Sequence, residues 1–213
     1  EAKEILRQTK PKKVFNSITT EKPLQQVNID LMIMDKIKNK KGNKGFAYAL
    51  VIIDIYSRYL WIVPIKTKTA NESLAGWKRA FPKGSREPDN ITSDSGSEWK
   101  GVFAKYLRDN NIQHRTVEIG DHRSLGVVDR VIKTIRRKLR LLWQTSDSFD
   151  WISHIDRVVK EYNNTRHSTV KAKPIDILNG RKQNNQDITR SNLIMKFNVG
   201  DRVRKLLKRN TFE

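Results

Sequence analysis

The spacing of apolar residues changes partway along the chain, and that change restricts the fold more than any other feature. Residues 26 to 34, QVNIDLMIM, alternate Val27, Ile29, Leu31 and Ile33 with Asn28, Asp30, Met32 and Met34, the period of a strand. A Lys/Gly/Asn-rich turn, KNKKGNKG, separates them from FAYALVIIDIYS, which is apolar on both faces as a central strand is. A two-residue Ser-Arg link then leads to YLWIVPIK, residues 59 to 66. Three strands joined this closely predict an antiparallel meander. Beyond them TANESLAGWKRAF and WKGVFAKYLRDN take the helical period, while NITSD and IQHRTVEI read as strands. Strands that alternate with helices require helical crossovers and pair in parallel. The expected class is α/β, with a five-stranded mixed sheet, three strands antiparallel and then two parallel, flanked by helices.

The rest of the chain fits around that sheet. A long basic helix at roughly 124 to 143 and a second at roughly 149 to 163 complete the core, by their helical periodicity. The chain has 213 residues, enough for one sizeable core plus flanking segments. Residues 1–24 read as a polar connector, 25–180 as the core, 181–196 as a linker, and 197–213 as the start of a further small unit, too short to bury a core of its own. The sequence reads as a fragment of something longer.

Charge narrows the partner. The chain carries 43 Lys+Arg against 23 Asp+Glu, a formal net charge of +20, so its natural partner is a polyanion. No apolar run approaches the roughly 20 residues of a membrane-spanning helix, and nucleic acid is the expected partner. There is no Cys, and the four His are scattered. Disulfides and thiolate zinc sites are therefore excluded, and any bound metal must be held by carboxylates, which favour Mg2+ or Mn2+.

Three carboxylates stand where such a site needs them. Asp30 lies on the first strand, and Asp94 lies just past the fourth, in ITSDSGSEW, a turn of small residues. The ends of neighbouring strands are where carboxylates from distant parts of a chain converge. A third ligand has to come from a helix. In SLGVVDRVIKTIRRKLRLLW, Val128, Ile132, Ile135, Leu139 and Leu142 form a core-facing stripe, and Asp129, Lys133, Arg136 and Arg140 lie on the neighbouring one. Asp129 thus sits near the positive end of a helix with cations running away from it. Asp54, in LVIIDIYSRYLW, reads as a structural acid bonded to the adjacent turn, and Glu98, near enough to Asp94 to touch a metal or DNA, reads first as an exposed acid at a helix start. His114, His154 and His167 are assigned to a strand, a helix and a turn. The Trp151, Ile152, Ile155, Val158, Val159 and Tyr162 stripe is core, and an apolar patch left on the two long helices would suit a dimer.

Taken in order and spacing, VNIDLM, VIIDIYSRYLWIVPIKTKT, ITSDSGSEW and LGVVDRVIKTIRRKL resemble the catalytic core of retroviral-type integrases, of the DDE/RNase H-like superfamily. EYNNTRHSTVKAKPIDIL resembles the segment that follows that core, and KFNVGDRVRKLLKRNTFE the start of an SH3-like or chromo-like C-terminal barrel. Within the family the sequence is similar to the Maverick/Polinton and virophage integrases.

The resemblance implies an RNase H-like fold with Asp30, Asp94 and Asp129 as the catalytic, metal-holding triad for two Mg2+ or Mn2+ ions. It implies double-stranded DNA as partner, at element ends and target, a homo-oligomer (dimer or tetramer), and 3′-end processing followed by strand transfer in the nucleus or in a viral particle or factory. Lys133, Arg136, Arg137 and Arg140, with His122 and Arg123 on a loop over the site, are the DNA-binding candidates. The family usually has Glu as the third acid, and Asp129 is one methylene shorter. Whether a shifted helix restores the reach, or the exchange is engineered or inactivating, stays open, as does an upstream zinc module. Two other functions remain: a non-catalytic DNA-binding protein derived from an integrase, and a simple RNase H-like nuclease.

Overall fold

The computed structural model describes residues 20–117, 124–146 and 148–186. The expected connector up to residue 19, the loop with His122 and Arg123, and the segment from 187 onward, including the proposed barrel start, lie outside the described residues.

The mixed sheet forms as expected. β1 (Gln26–Ile33), β2 (Tyr48–Asp54) and β3 (Leu60–Ile65) are antiparallel neighbours, and β4 (Asn90–Ser93) and β5 (Gln113–Thr116) extend the other side in parallel, giving the order β3-β2-β1-β4-β5. The described residues form five α-helices: α1 (Ala70–Ala80), α2 (Val102–Asp109), α3 (Gly126–Ser146), α4 (Ile152–Asn164) and α5 (Pro174–Leu178). Among the described residues no helix is long and apolar enough to cross a membrane.

Both faces of the sheet are covered. On one side Val27, Ile29, Leu31, Leu50, Ile52 and Ile65 pack with Trp77, Phe81, Trp99, Phe103 and Leu107 beneath α1 and α2. Gly76 lets α1 sit low, since a Cβ there would stand 3.0 Å from Ile65 and 3.2 Å from Leu50. On the other side Met32, Ala49, Val51, Ile53, Leu60 and Ile62 meet the buried stripes of α3 and α4, with Trp151, Ile155 and Val158 fully in the core and Ile152, Val159 and Tyr162 packed against it. This two-sided cover buries both faces of β1, despite its alternating pattern. Asn28 and Met32 are as buried as Val27 and Ile29, and only Ile33 at the strand end is exposed.

The link from β2 to β3 is longer than the expected Ser-Arg pair. Strand pairing stops at Asp54 because its buried carboxylate gathers the local donors: the Leu24 N–H at 2.9 Å, the Ser57 N–H at 2.7 Å and the Ser57 hydroxyl at 2.5 Å. Burial alone would push this carboxyl up, and those hydrogen bonds oppose the rise. Asp54 is thus the structural acid that its place in the sequence implied. Residues 181–186, expected to be linker, lie against the core instead. Asn184 Nδ2 donates to the Tyr56 carbonyl at 2.8 Å, and the Asn185 N–H donates to the Val170 carbonyl at 3.4 Å.

At the start of β3 the outer edge is closed by one side chain. Buried Asn163, at the end of α4, accepts from the Leu60 N–H and donates to the Leu60 carbonyl, both at 2.9 Å. Both groups belong to an edge strand and would otherwise be buried without partners. Replacing Asn163 with Ala should therefore cost about 2–3 kcal/mol in a urea titration, the penalty for orphaned buried backbone groups. A loss below about 0.5 kcal/mol would show that the edge does not depend on it.

Candidate active site

The parallel register places the first two acids. Gln26, Val27 and Asn28 of β1 stand opposite Asn90, Ile91 and Thr92 of β4, and the same offset carried two residues further sets Asp94 beside Asp30. Neighbouring strands lie about 4.8 Å apart, so the two carboxylates leave the same end of the sheet as close neighbours. α3 packs on β1 and brings Asp129 in its first turn. Asn28 helps fix that helix, since its Nδ2 donates to the Ser124 carbonyl at 2.8 Å, just ahead of α3. Asn28 and Asp30 are two residues apart on a strand and so share the face that α3 covers.

The electrostatics record the convergence. Asp30 has its carboxyl pushed up to about 6, first by burial and then by the negative charges of Asp94, Asp129 and Glu98, against one opposing hydrogen bond from the Leu31 N–H at 2.7 Å. Asp30 thus lies in the field of three other acids. Asp94 is oriented from below. Its Oδ1 accepts from the Trp99 indole N–H at 2.7 Å and from the Gly96 N–H at 3.1 Å, while the residue itself is exposed. Among the described residues no three acidic or imidazole side chains stand in an array that would close around a metal ion.

Glu98 differs from the expected exposed helix-start acid. It lies in a 3-10 turn, Ser97–Trp99, is 2% exposed, and pairs with Lys68 at 3.1 Å. Its carboxylate occupies the space under the Asp94 turn. A Cβ on Gly96 would come within 2.5 Å of Glu98 Cδ and 2.6 Å of Oε1, and nearer still to Oε2. This accounts for the small residue in ITSDSGSEW in terms that the sequence did not provide: Gly96 makes room for a second carboxylate. Lys68 was not among the sequence candidates either. It sits on the loop between β3 and α1, beside Thr69, which caps α1. Glu98 first, then Asp94 and Asp30, hold its ammonium more firmly protonated than usual. The D-x-G-x-E spacing was available as a clue to Glu98, but no local pattern joins Lys68 to it.

The cations on α3 are placed as expected for a solvent-facing track. Lys133, Arg136, Arg137 and Arg140 are all exposed, and Arg136 reaches the Ile33 carbonyl at the end of β1 at 3.5 Å. Lys138, between them, is tied to Glu161 of α4 at 2.5 Å. His114 is half-buried on β5 with its Nε2 2.8 Å from the Ser93 hydroxyl, and burial lowers its pKa.

The five-stranded mixed sheet in this order, with helices on both faces, is the RNase H-like fold of integrase catalytic cores. Residues 20–122 match the family model described as the integrase core domain. The chain is 28% identical over 174 residues to a transposon-derived protein of Caenorhabditis elegans, covering 82% of this chain and 60% of that protein. It is 27% identical over 163 residues to the retrovirus-related Pol polyprotein from transposon 412 of Drosophila melanogaster, covering 73% of this chain and 13% of the polyprotein. The chain therefore spans less than two thirds of the length of these relatives. In fold it is similar to the HTLV-2 integrase catalytic core domain, solved in complex with magnesium in a trimeric form, with a TM-score of 0.59 at 16% identity, covering 73% of this chain and 97% of that one.

The raised Asp30 carboxyl has a consequence for stability. Below pH 3.8 the group is protonated whether the chain is folded or not, and the fold suffers no penalty. As pH rises from there through about 6 the unfolded chain ionises first, and the folded state loses up to about 3 kcal/mol. Asp30→Asn should accordingly raise the stability of the metal-free protein by about 1–3 kcal/mol at pH 7 and change it little at pH 3.5. Equal effects at the two pH values in denaturant titrations would contradict the raised Asp30 carboxyl.

Proposed function

We propose that this chain is the catalytic core of a DNA integrase, carrying out metal-dependent 3′-end processing and strand transfer of element or viral DNA into target DNA. The observation that carries the reading is the strand register that sets Asp94 beside Asp30, with Asp129 in the first turn of the helix packed on β1, at a site bordered by exposed cations. In this reading Asp30, Asp94 and Asp129 are the catalytic residues and would hold Mg2+ or Mn2+. An all-oxygen donor set with surplus negative charge suits those hard ions. Bound there, two such ions would supply Lewis acidity to the attacking and leaving oxygens of an in-line displacement at phosphorus.

The chain's own residues do the positioning. The Trp99 indole and Gly96 N–H fix one oxygen of Asp94 and leave the other to face the reacting centre. Asn28 holds the start of α3, and so the position of Asp129 relative to β1. Lys133, Arg136, Arg137 and Arg140 are proposed to follow the DNA backbone, with His122 and Arg123 contacting DNA from the loop ahead of α3. Phosphate contacts of this kind position a duplex and carry no sequence information. A homo-oligomer acting on two DNA molecules is part of the proposal, in keeping with the trimeric form of the HTLV-2 core.

The decisive assay offers a labelled blunt duplex and a plasmid target in Mn2+. Joined products should form, fall at least about a hundredfold with Asp94→Asn, and persist with Asp129→Glu, which adds reach at a position where small displacements are costly. Cleavage without joining would mark a nuclease. Binding with neither activity, in the original chain and the Glu variant alike, would mark a non-catalytic DNA-binding protein.

Affinity for duplex DNA should also fall steeply with salt, with a log-log slope of about −4 or steeper if four or more α3 and loop cations meet phosphates. A flat response in an anisotropy titration would remove the phosphate track from the account.

A further inference from the structure

We propose that Lys68, held by the buried carboxylate of Glu98, is a DNA-phosphate contact at the mouth of the active site. The inference rests on the DNA-processing reading above and adds to it a residue outside both the acid triad and the α3 cations.

The ion pair is asymmetric. Lys68 is 45% exposed and Glu98 only 2%, with Nζ 3.1 Å from Oε1. The second oxygen of Glu98 is buried and has no hydrogen-bond partner among the described residues. A buried carboxylate satisfied on one side only is a poor stabilising device, because desolvation offsets much of the attraction. The fold nevertheless accommodates it, and Gly96 lacks a side chain where that carboxylate lies. The result of the arrangement is an anchored ammonium at the solvent boundary, in the field of Asp30 and Asp94 as well as Glu98.

The geometry of the loop supports the same role. Lys68 lies between the end of β3 and the cap of α1, where Thr67 and Thr69 hydroxyls are 3.1 Å apart and Glu72 Oε2 accepts from the Lys66 N–H at 3.0 Å. Its backbone is therefore well fixed while its side chain stays accessible. A DNA strand whose phosphodiester enters the acid site must pass a surface of the same sign as itself. A cation tethered between the acids and solvent lowers that repulsion and offers donors to a phosphate oxygen. Lysine suits the task, being a compact point charge on a flexible stem.

The bland alternative is that Lys68 only neutralises Glu98. The two roles separate in a Glu98→Gln background, where there is no buried charge to neutralise and the protein is spared an unpaired carboxylate. Duplex DNA binding is measured by fluorescence anisotropy over a range of KCl concentrations, in EDTA so that no chemistry occurs. Glu98→Gln should bind at least as tightly as the original chain. Adding Lys68→Ala to it should weaken binding about 3- to 10-fold and make the log-log salt slope shallower by about 0.9, the signature of one lost phosphate contact, while Lys68→Arg should keep both. Equal affinity and slope for Glu98→Gln with and without Lys68→Ala would overturn the proposal while leaving the integrase reading intact. Absence of salt-dependent binding by the original chain would instead overturn the DNA-processing reading, and this inference with it.

Discussion

Parallel pairing of β1 with β4 places two acids, far apart in the chain, at one end of the sheet, and the remaining features of the site follow from how that concentration of negative charge is managed. The strands run the same way only because α1 crosses over between β3 and β4, so the helix that buries Trp77 and Phe81 also sets the level of Asp94 against Asp30. α3 then approaches from the opposite face, seated by Val128, Ile132 and Ile135 and tied at its start by Asn28. Packing of apolar faces therefore brings the acids together, and their mutual repulsion is a cost carried by that packing.

Burial first, and that repulsion after it, push the Asp30 carboxyl up to about 6. A protein with a net charge of +20 has many cations to spend on the problem, yet Lys68 is the one whose ion pair lies among these acids in the described residues. The larger group of cations is set apart on the exposed face of α3. In the proposed function, separation of this kind would suit a surface that draws in a polyanion and a pocket whose acids stay free for divalent ions.

Much of this could be read from residue order. The switch from a two-residue to a helical period gave the strands, the crossovers and the mixed sheet, because burial on a strand and on a helix obey different repeats. Asp30 was identifiable as a strand acid, Asp94 as a strand-end acid and Asp129 as a helix-start acid, and Asp54 as a turn acid. Local patterns failed where partners are distant in the chain. Glu98 was assigned to the surface because a polar residue near a turn is usually exposed, whereas its burial depends on Lys68 from another loop and on the missing side chain of Gly96. Asn163 closing the β3 edge, and residues 181–186 lying on Tyr56 and Val170, are likewise long-range outcomes without a local signature.

The central claim is that Asp30, Asp94 and Asp129 share one cation site. Anomalous diffraction from crystals equilibrated with Mn2+ tests it most directly. The account predicts manganese peaks bonded to oxygens of Asp30 and Asp94, with Asp129 turned toward the same ions. Manganese bound only elsewhere, or Asp129 directed away from occupied Asp30 and Asp94, would contradict it.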